Sequence, residues 1–170
     1  MPASLLRSFL LVLLIAASAL PAAAQSTVYV VRHAERASTE PDSPLSGAGR
    51  ARAEALAALL SDAGLRHVYT TNLARTRETA APAARQAGVT PVEIAAKEIP
   101  AFVAAVRATL RDGEATLVVG HSNTVPALVE GLSGRKVPEL AHDEHSRLVI
   151  LTLWPDGRSS VATLRYGNRP

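Results

Sequence analysis

The sequence predicts an α/β fold: a three-layer α/β/α, doubly wound and mostly parallel sheet with a C-terminal antiparallel hairpin. Three observations predict it. Strand-like and helix-like segments alternate from residue 27 to residue 132. Two of the strand-like runs, 27–32 and 115–120, are apolar on both faces, as strands in the middle of a parallel sheet must be. The chain then closes with two alternating segments around Pro155-Asp156-Gly157, a hairpin signal. Such an order calls for helices on both faces of a parallel sheet and an antiparallel edge.

Residues 1–24 stand apart from this pattern. Arg7 precedes an apolar and small-residue run over 9–20, and Pro21 leads into Ala22-Ala23-Ala24. This is the charged, apolar and A-x-A order of a secretory signal. The run is shorter than the roughly 20 residues that span a bilayer, so a cleaved signal is expected and a stable membrane anchor is not. No twin-arginine pair is present. Cleavage after Ala24, unfolded (Sec-type) export and a periplasmic or secreted domain over 25–170 are the expectation.

In that domain the run 27–32, T-V-Y-V-V-R, is the first strand, followed by a polar loop over 35–44. Ser46 caps a first helix whose Ala51, Ala55, Leu56, Leu59, Leu60 and Ala63 form one stripe, with Gly64 ending it. A second strand over 67–70 leads into a helix over 73–87 that Gly88 stops and Pro82 should kink or split. A weak third strand covers 92–95. Pro100 opens a helix reaching residue 111, with Phe102, Val103, Val106 and Leu110 inward. The central strand 115–120, a helix over 124–132 and hairpin strands over 148–154 and 160–166 complete the series.

Composition narrows the chemistry. The 170 residues suit one domain, and 48% hydrophobic with 19% charged residues is a globular balance. With 0 cysteines, thiol nucleophiles, disulfides, iron–sulfur clusters and thiolate zinc sites are excluded, leaving His, Ser/Thr, carboxylates and Arg. The net charge of +3 is mild and its cations are dispersed, which fits small anions and not a nucleic-acid surface.

In an open parallel sheet, ligands bind beyond the carboxyl ends of the strands. There the first strand delivers Arg32-His33, the second Thr70-Thr71-Asn72 with Arg75 one turn on, and the fourth His121-Ser122-Asn123 at a helix start. Two His and two Arg meet at one edge beside helix N-termini, whose free N–H groups favour anions. Guanidinium forks bind phosphate oxygens and imidazole can act as a nucleophile, so the constellation predicts a phosphoryl pocket. Ser122 is read as a helix N-cap or phosphate contact, since Gly120-His121-Ser122-Asn123-Thr124 lacks the G-x-S-x-G elbow of a serine hydrolase.

Four segments in order carry a family resemblance. Val30-Val31-Arg32-His33-Ala34-Glu35 resembles the R-H-G signature of the histidine phosphatase (phosphoglycerate mutase-like) superfamily, and Pro44-Leu45-Ser46-x-x-Gly49 resembles its P-L-[ST]-x-x-G helix start. Residues 71–79 resemble its S-x-L-x-R-[AT]-x-x-T segment, and Val118-Val119-Gly120-His121-Ser122 its V-x-H-[GS] strand end. The resemblance implies that His33 is phosphorylated in transit, that Arg32, Arg75 and His121 surround the phosphoryl oxygens, and that no metal or other cofactor takes part.

This chain departs from the family pattern twice: Ala34 stands for the usual glycine, and the usual proton-donating carboxylate has no clear match. Glu98 and Glu35 are the first candidates for it, ahead of Glu93, Asp42 and Glu144. The implied activity is hydrolysis of small phosphomonoesters outside the cytoplasm. A non-catalytic phosphate-ligand binder of the same fold, and a phosphatase restricted to phosphohistidine, whose leaving imidazole needs no such donor, stay open as alternatives. A mutase fits less well, because so short a chain has little insertion to enclose a diphosphorylated substrate. His67, His142 and His145 are read as structural or surface residues, with no third ligand to make a metal site of the last two.

Overall fold

The computed structural model describes residues 25–167; the signal segment expected over 1–24 lies outside them. Ten elements follow in order: β1 (Ser26–Arg32), α1 (Gly47–Leu59), β2 (Leu65–Thr71), α2 (Ala74–Ala87), β3 (Val92–Ile94), α3 (Ile99–Thr109), β4 (Ala115–Gly120), α4 (Val125–Ser133), β5 (Arg147–Leu153) and β6 (Ser159–Arg165). The six strands form one sheet in the order β3-β2-β4-β1-β5-β6. Its first four members are parallel and its last two antiparallel, as the alternation and the hairpin predict.

Strand alternation divides the core into two layers. Val31, Leu117, Val119 and Leu148 face one side, where Leu56 and Ala57 of α1 and Ala80, Ala83 and Ala84 of α2 cover them. Val28, Val30, Val118, Val149 and Leu151 face the other, under Phe102 and Val106 of α3 and Val125, Leu128 and Val129 of α4. From β1 the chain moves through α1 and α2 towards the β3 edge; from β3 it returns through α3 and α4 to β5. The connections leaving the neighbouring strands β1 and β4 therefore diverge, and a crevice opens between their carboxyl ends.

Two helices differ from expectation. Pro82 does not split α2, which runs unbroken over 14 residues with Pro82 on its buried side and ends at Gly88 in the left-handed conformation. A proline removes one backbone hydrogen bond, and packing on α1 and the sheet outweighs that loss here. In α1 the inward face is Gly49, Arg52, Ala53, Leu56 and Ala57, while Leu59 is 51% exposed and Leu60 already caps the helix. Gly49 sets this rotation, because a Cβ there would run into the backbone of Glu35. Ser46 caps as expected, its hydroxyl accepting from Gly49 N at 3.0 Å.

Candidate active site

Arg32 closes β1 and Gly120 closes β4, paired across the crevice, so His33 and His121 emerge side by side. Their ring centroids lie 5.3 Å apart and both residues are buried. Nδ1 of His33 lies 2.8 Å from the Ala34 carbonyl. A carbonyl only accepts, so Nδ1 carries the hydrogen and Nε2 keeps its lone pair. Burial above all, then His121, Arg32 and Arg75, outweigh the Ala34 bond and bring the His33 pKa down to about 3. His121 is lowered to about 4 by burial and then by Arg75 and Arg32. Both imidazoles are neutral at pH 7, as a nitrogen nucleophile must be.

The site's arginines reach it from different segments. Nη1 of Arg32 donates to the carbonyls of Ala141 and His142 at 2.9 and 2.8 Å, and Nη1 of Arg75 to that of Pro41 at 2.7 Å. These bonds fix each guanidinium and neutralise neither. Nε of Arg32 and Nε of Arg75 are buried with no partner among the described residues. Burial, then Arg36, with Asp143 and then Asp42 working against them, hold Arg32 and Arg75 below the ordinary arginine value. An anion between them would relieve both the unmet donors and the mutual repulsion.

Threonines that the sequence reading left unassigned hold the histidines. Thr71 Oγ1 lies 3.0 Å from Nε2 of His121 and 2.8 Å from Thr76 Oγ1, and Thr76 donates onward to the Thr71 and Leu73 carbonyls. Engaging Nε2 leaves Nδ1 as the ring nitrogen of His121 open to a ligand. Thr79 Oγ1 accepts from Ala34 N at 2.9 Å. No residue other than glycine among those described has positive φ, so Ala34 replaces glycine without backbone strain.

The carboxylates sort clearly. Glu35 is clamped by Arg52, which donates from Nε at 2.9 Å and from Nη2 at 2.7 Å. Burial pushes the Glu35 carboxyl up and the Arg52 hydrogen bonds more than reverse it, leaving an ionised acceptor ill suited to giving a proton. Glu93 pairs with Arg77, Asp42 accepts from Ala74 N, and Glu144 pairs with Arg147 and Arg165. Glu98 is exposed before α3, and no hydrogen bond or ion pair of its carboxylate occurs among the described residues.

Ser122 does not cap α4; Thr124 holds that position, its Oγ1 accepting from His121 N at 2.8 Å. Instead Ser122 lines an open groove of about 400 Å³ beside His121, with Asn123, Pro126, Ala127, Glu130, Glu139 and Leu140. His145, read from the sequence as structural or surface, turns inward: its ring centroid is 5.6 Å from that of His33 and its Nδ1 is 2.8 Å from the His33 carbonyl. Among the described residues no group of three or more His, Asp or Glu is placed to hold a metal ion.

Residues 28–98 match the family model described as the histidine phosphatase superfamily (branch 1). No curated protein matches the chain. Among solved structures, the protein histidine phosphatase SixA, complexed with tungstate, superimposes with a TM-score of 0.65 at 18% identity over 82% of this chain and 96% of its own. Mycobacterial glucosyl-3-phosphoglycerate phosphatase gives 0.68 at 13% identity, over 84% and 100% of the two chains. A putative phosphohistidine phosphatase SixA from Agrobacterium tumefaciens gives 0.57 at 24% identity, over 84% and 98%. At these identities the likeness is one of fold.

Proposed function

Taking as premise that residues 28–98 are those of a histidine phosphatase superfamily domain, we propose that this protein hydrolyses small phosphomonoesters through a phosphohistidine on His33. One observation carries the reading: two buried arginine Nε–H groups lack partners among the described residues, beside a neutral His33 whose Nε2 holds a free lone pair. A buried unmet donor costs about 1–3 kcal/mol. A phosphoryl group supplies the missing acceptors.

In the first step Nε2 of His33 attacks phosphorus, the P–N bond forms and the ester P–O bond breaks, and the leaving oxygen takes a proton. Arg32 and Arg75 stabilise the charge on the non-bridging oxygens, and His121 joins them once the bound phosphoryl dianion draws a proton onto its Nδ1. In the second step water attacks phosphorus, the P–N bond breaks, inorganic phosphate departs and His33 is regenerated. The water's proton returns to the group that protonated the leaving oxygen. Of the two carboxylates ranked first from the sequence for that exchange, Glu35 is tied to Arg52, and the role is assigned to Glu98, exposed ahead of α3. We assign the alcohol portion to the groove that runs from Ser122 to Leu140, which adjoins the site through Ser122, next in sequence to His121.

The engagement of Glu35 also favours a second reading, restriction to phosphohistidine, in which the leaving imidazole needs no carboxylic acid. Structural neighbours are described as acting on both kinds of substrate, a protein phosphohistidine and a glucosyl phosphoglycerate. Fold does not choose between them. Export, supported by the residue 1–24 pattern, favours small esters, because phosphohistidine relay proteins belong to the cytoplasm. Retention of the full chain there on fractionation would overturn this part.

The test is phosphate release by the purified protein from a phosphomonoester panel with chelator present, beside phosphoenzyme trapping. His33→Ala should abolish the acid-labile, base-stable label and lower release at least ~10³-fold. Release from N-phosphorylated substrates alone selects the second reading. No release and no label, with phosphate still bound, would leave a binding protein.

A further inference from the structure

We propose that His145 is a positioning residue for the nucleophile: its imidazole holds the peptide between His33 and Ala34, and through it the ring of His33. The geometry argues this independently, while its kinetic consequence rests on the phosphatase reading above.

The β1 ladder runs out at His33. The last pair with β5 is Val31 with Leu148, the last with β4 is Arg32 with Gly120, and a final bond runs from His33 N to the Gly120 carbonyl at 2.9 Å. Beyond that no strand among the described residues is left to receive the His33 carbonyl. His145 takes the strand's place, donating from Nδ1 at 2.8 Å. The other end of the same peptide, Ala34 N, donates to Thr79 Oγ1 at 2.9 Å, and Thr79 is itself tied to the Arg75 carbonyl at 2.6 Å. One peptide is thus gripped at its C=O from the segment before β5 and at its N–H from α2.

That grip reaches the reacting nitrogen in one step. The Ala34 carbonyl, next along the chain, accepts the Nδ1 hydrogen of His33 at 2.8 Å. A rotation of the 33–34 peptide would move this acceptor, release the His33 tautomer and swing Nε2 away from phosphorus. The same arrangement fixes His145, whose Nδ1 must carry its hydrogen to donate. Its loop is braced in turn: Glu144 pairs with Arg147 at 2.6 Å and with Arg165 at 3.0 Å, and the Ala141 and His142 carbonyls hold Arg32. Arg32 and the support of His33 therefore share one brace.

The test uses three variants of the full chain, each checked for folding by thermal melting. Asparagine places an amide donor where Nδ1 of histidine stands, glutamine places it nearer Nε2, and phenylalanine keeps the ring alone. Two readouts are taken: the rate of phosphoenzyme formation, and the tautomer of His33 by ¹⁵N NMR in the free protein. His145→Phe and His145→Gln should slow phosphoenzyme formation about 10–100-fold with KM little changed, the scale of a misplaced reacting group, and His33 should lose its pure Nδ1–H tautomer. His145→Asn should recover most of both. An unchanged His33 tautomer in a folded His145→Phe protein, or an asparagine variant no better than glutamine, overturns the proposal. Should the wild type form no phosphoenzyme, the phosphatase reading fails, and the NMR comparison still decides the role of His145.

Discussion

Two buried arginines, Arg52 and Arg32, lie on either side of the turn that follows β1 and are treated in opposite ways. Arg52 is answered in full: Glu35 takes it from Nε and Nη2, the Tyr166 carbonyl accepts from Nη1 at 2.9 Å, and the Tyr166 ring lies 5.9 Å from its guanidinium carbon. Arg32 bonds carbonyls only, keeps an unmet Nε among the described residues, and feels Arg36 and Arg75 against the weaker pull of Asp143 and Glu144. The first arginine ties α1 and the C-terminal segment to the β1 turn. The second is left wanting an anion, and burial alone would not distinguish them. A buried cation with its counter-charge supplied is architecture; one without it is a binding site kept open at some expense of stability.

The comparison breaks most visibly at the pocket. Arg75→Ala or Arg32→Ala should lower kcat/KM for phosphate release by about 10²–10³-fold, the range for removing one preorganised charge donor. Melting temperature should stay level or rise, and a clear fall would show that these arginines also hold the fold.

Acid should then separate the pocket from the clasp. The unfolded chain binds protons to His33 and His121 below about pH 6.5, whereas the folded chain binds them only near 3 and 4. Unfolding therefore takes up protons between those limits, so this part of stability is complete above pH 6.5 and is lost as pH falls through the window. Melting curves from pH 7 to pH 4 should show that slope, and His33→Gln should flatten it.

The clasp should fail in stability and not in chemistry. Arg52→Met leaves Glu35 charged without its partner and is expected to destabilise by about 2–3 kcal/mol in denaturant titrations, less than a fully buried pair because Glu35 is 27% exposed. Adding Glu35→Leu should recover most of the loss. The smallest effect belongs to Glu144→Gln, which loosens the loop whose carbonyls steer Arg32. We expect KM to rise about 3–10-fold with kcat nearly unchanged in steady-state assays.

Most of this was legible in the sequence because the responsible signals are local. The β-branched runs at 27–32 and 115–120 mark the two central strands, Ser46 marks a helix start, Gly88 a helix end and Pro155-Asp156-Gly157 the hairpin. Arg32, His33, Arg75 and His121 follow from asking what parallel strands deliver at their carboxyl ends. His145 escaped that question for a geometric reason. β5 is antiparallel, so the residues before it, not after it, reach the same edge. The signal was present in the predicted hairpin, and asking what precedes an antiparallel strand would have found it. Arg52 escaped because helical periodicity ranks charged residues as outward, and only the tertiary approach of Glu35 makes an inward arginine tolerable. The Thr71, Thr76 and Thr79 bonds depend on side-chain geometry that residue spacing does not encode.

The register of β1 against β4 has a consequence in time. Thr27 lies opposite Ala115, so the central pair of strands closes a loop spanning most of the domain. Such long closures form late and slowly, since chain entropy is lost before the contacts that repay it exist. His33 and His121 belong to opposite ends of that loop, so no fragment ending before β4 can assemble the proposed phosphoryl pocket. A chain emerging in order, from a ribosome or through a membrane, stays chemically silent until β4 has arrived. Activity and completion of the central sheet should appear together in refolding experiments, with no active intermediate before them.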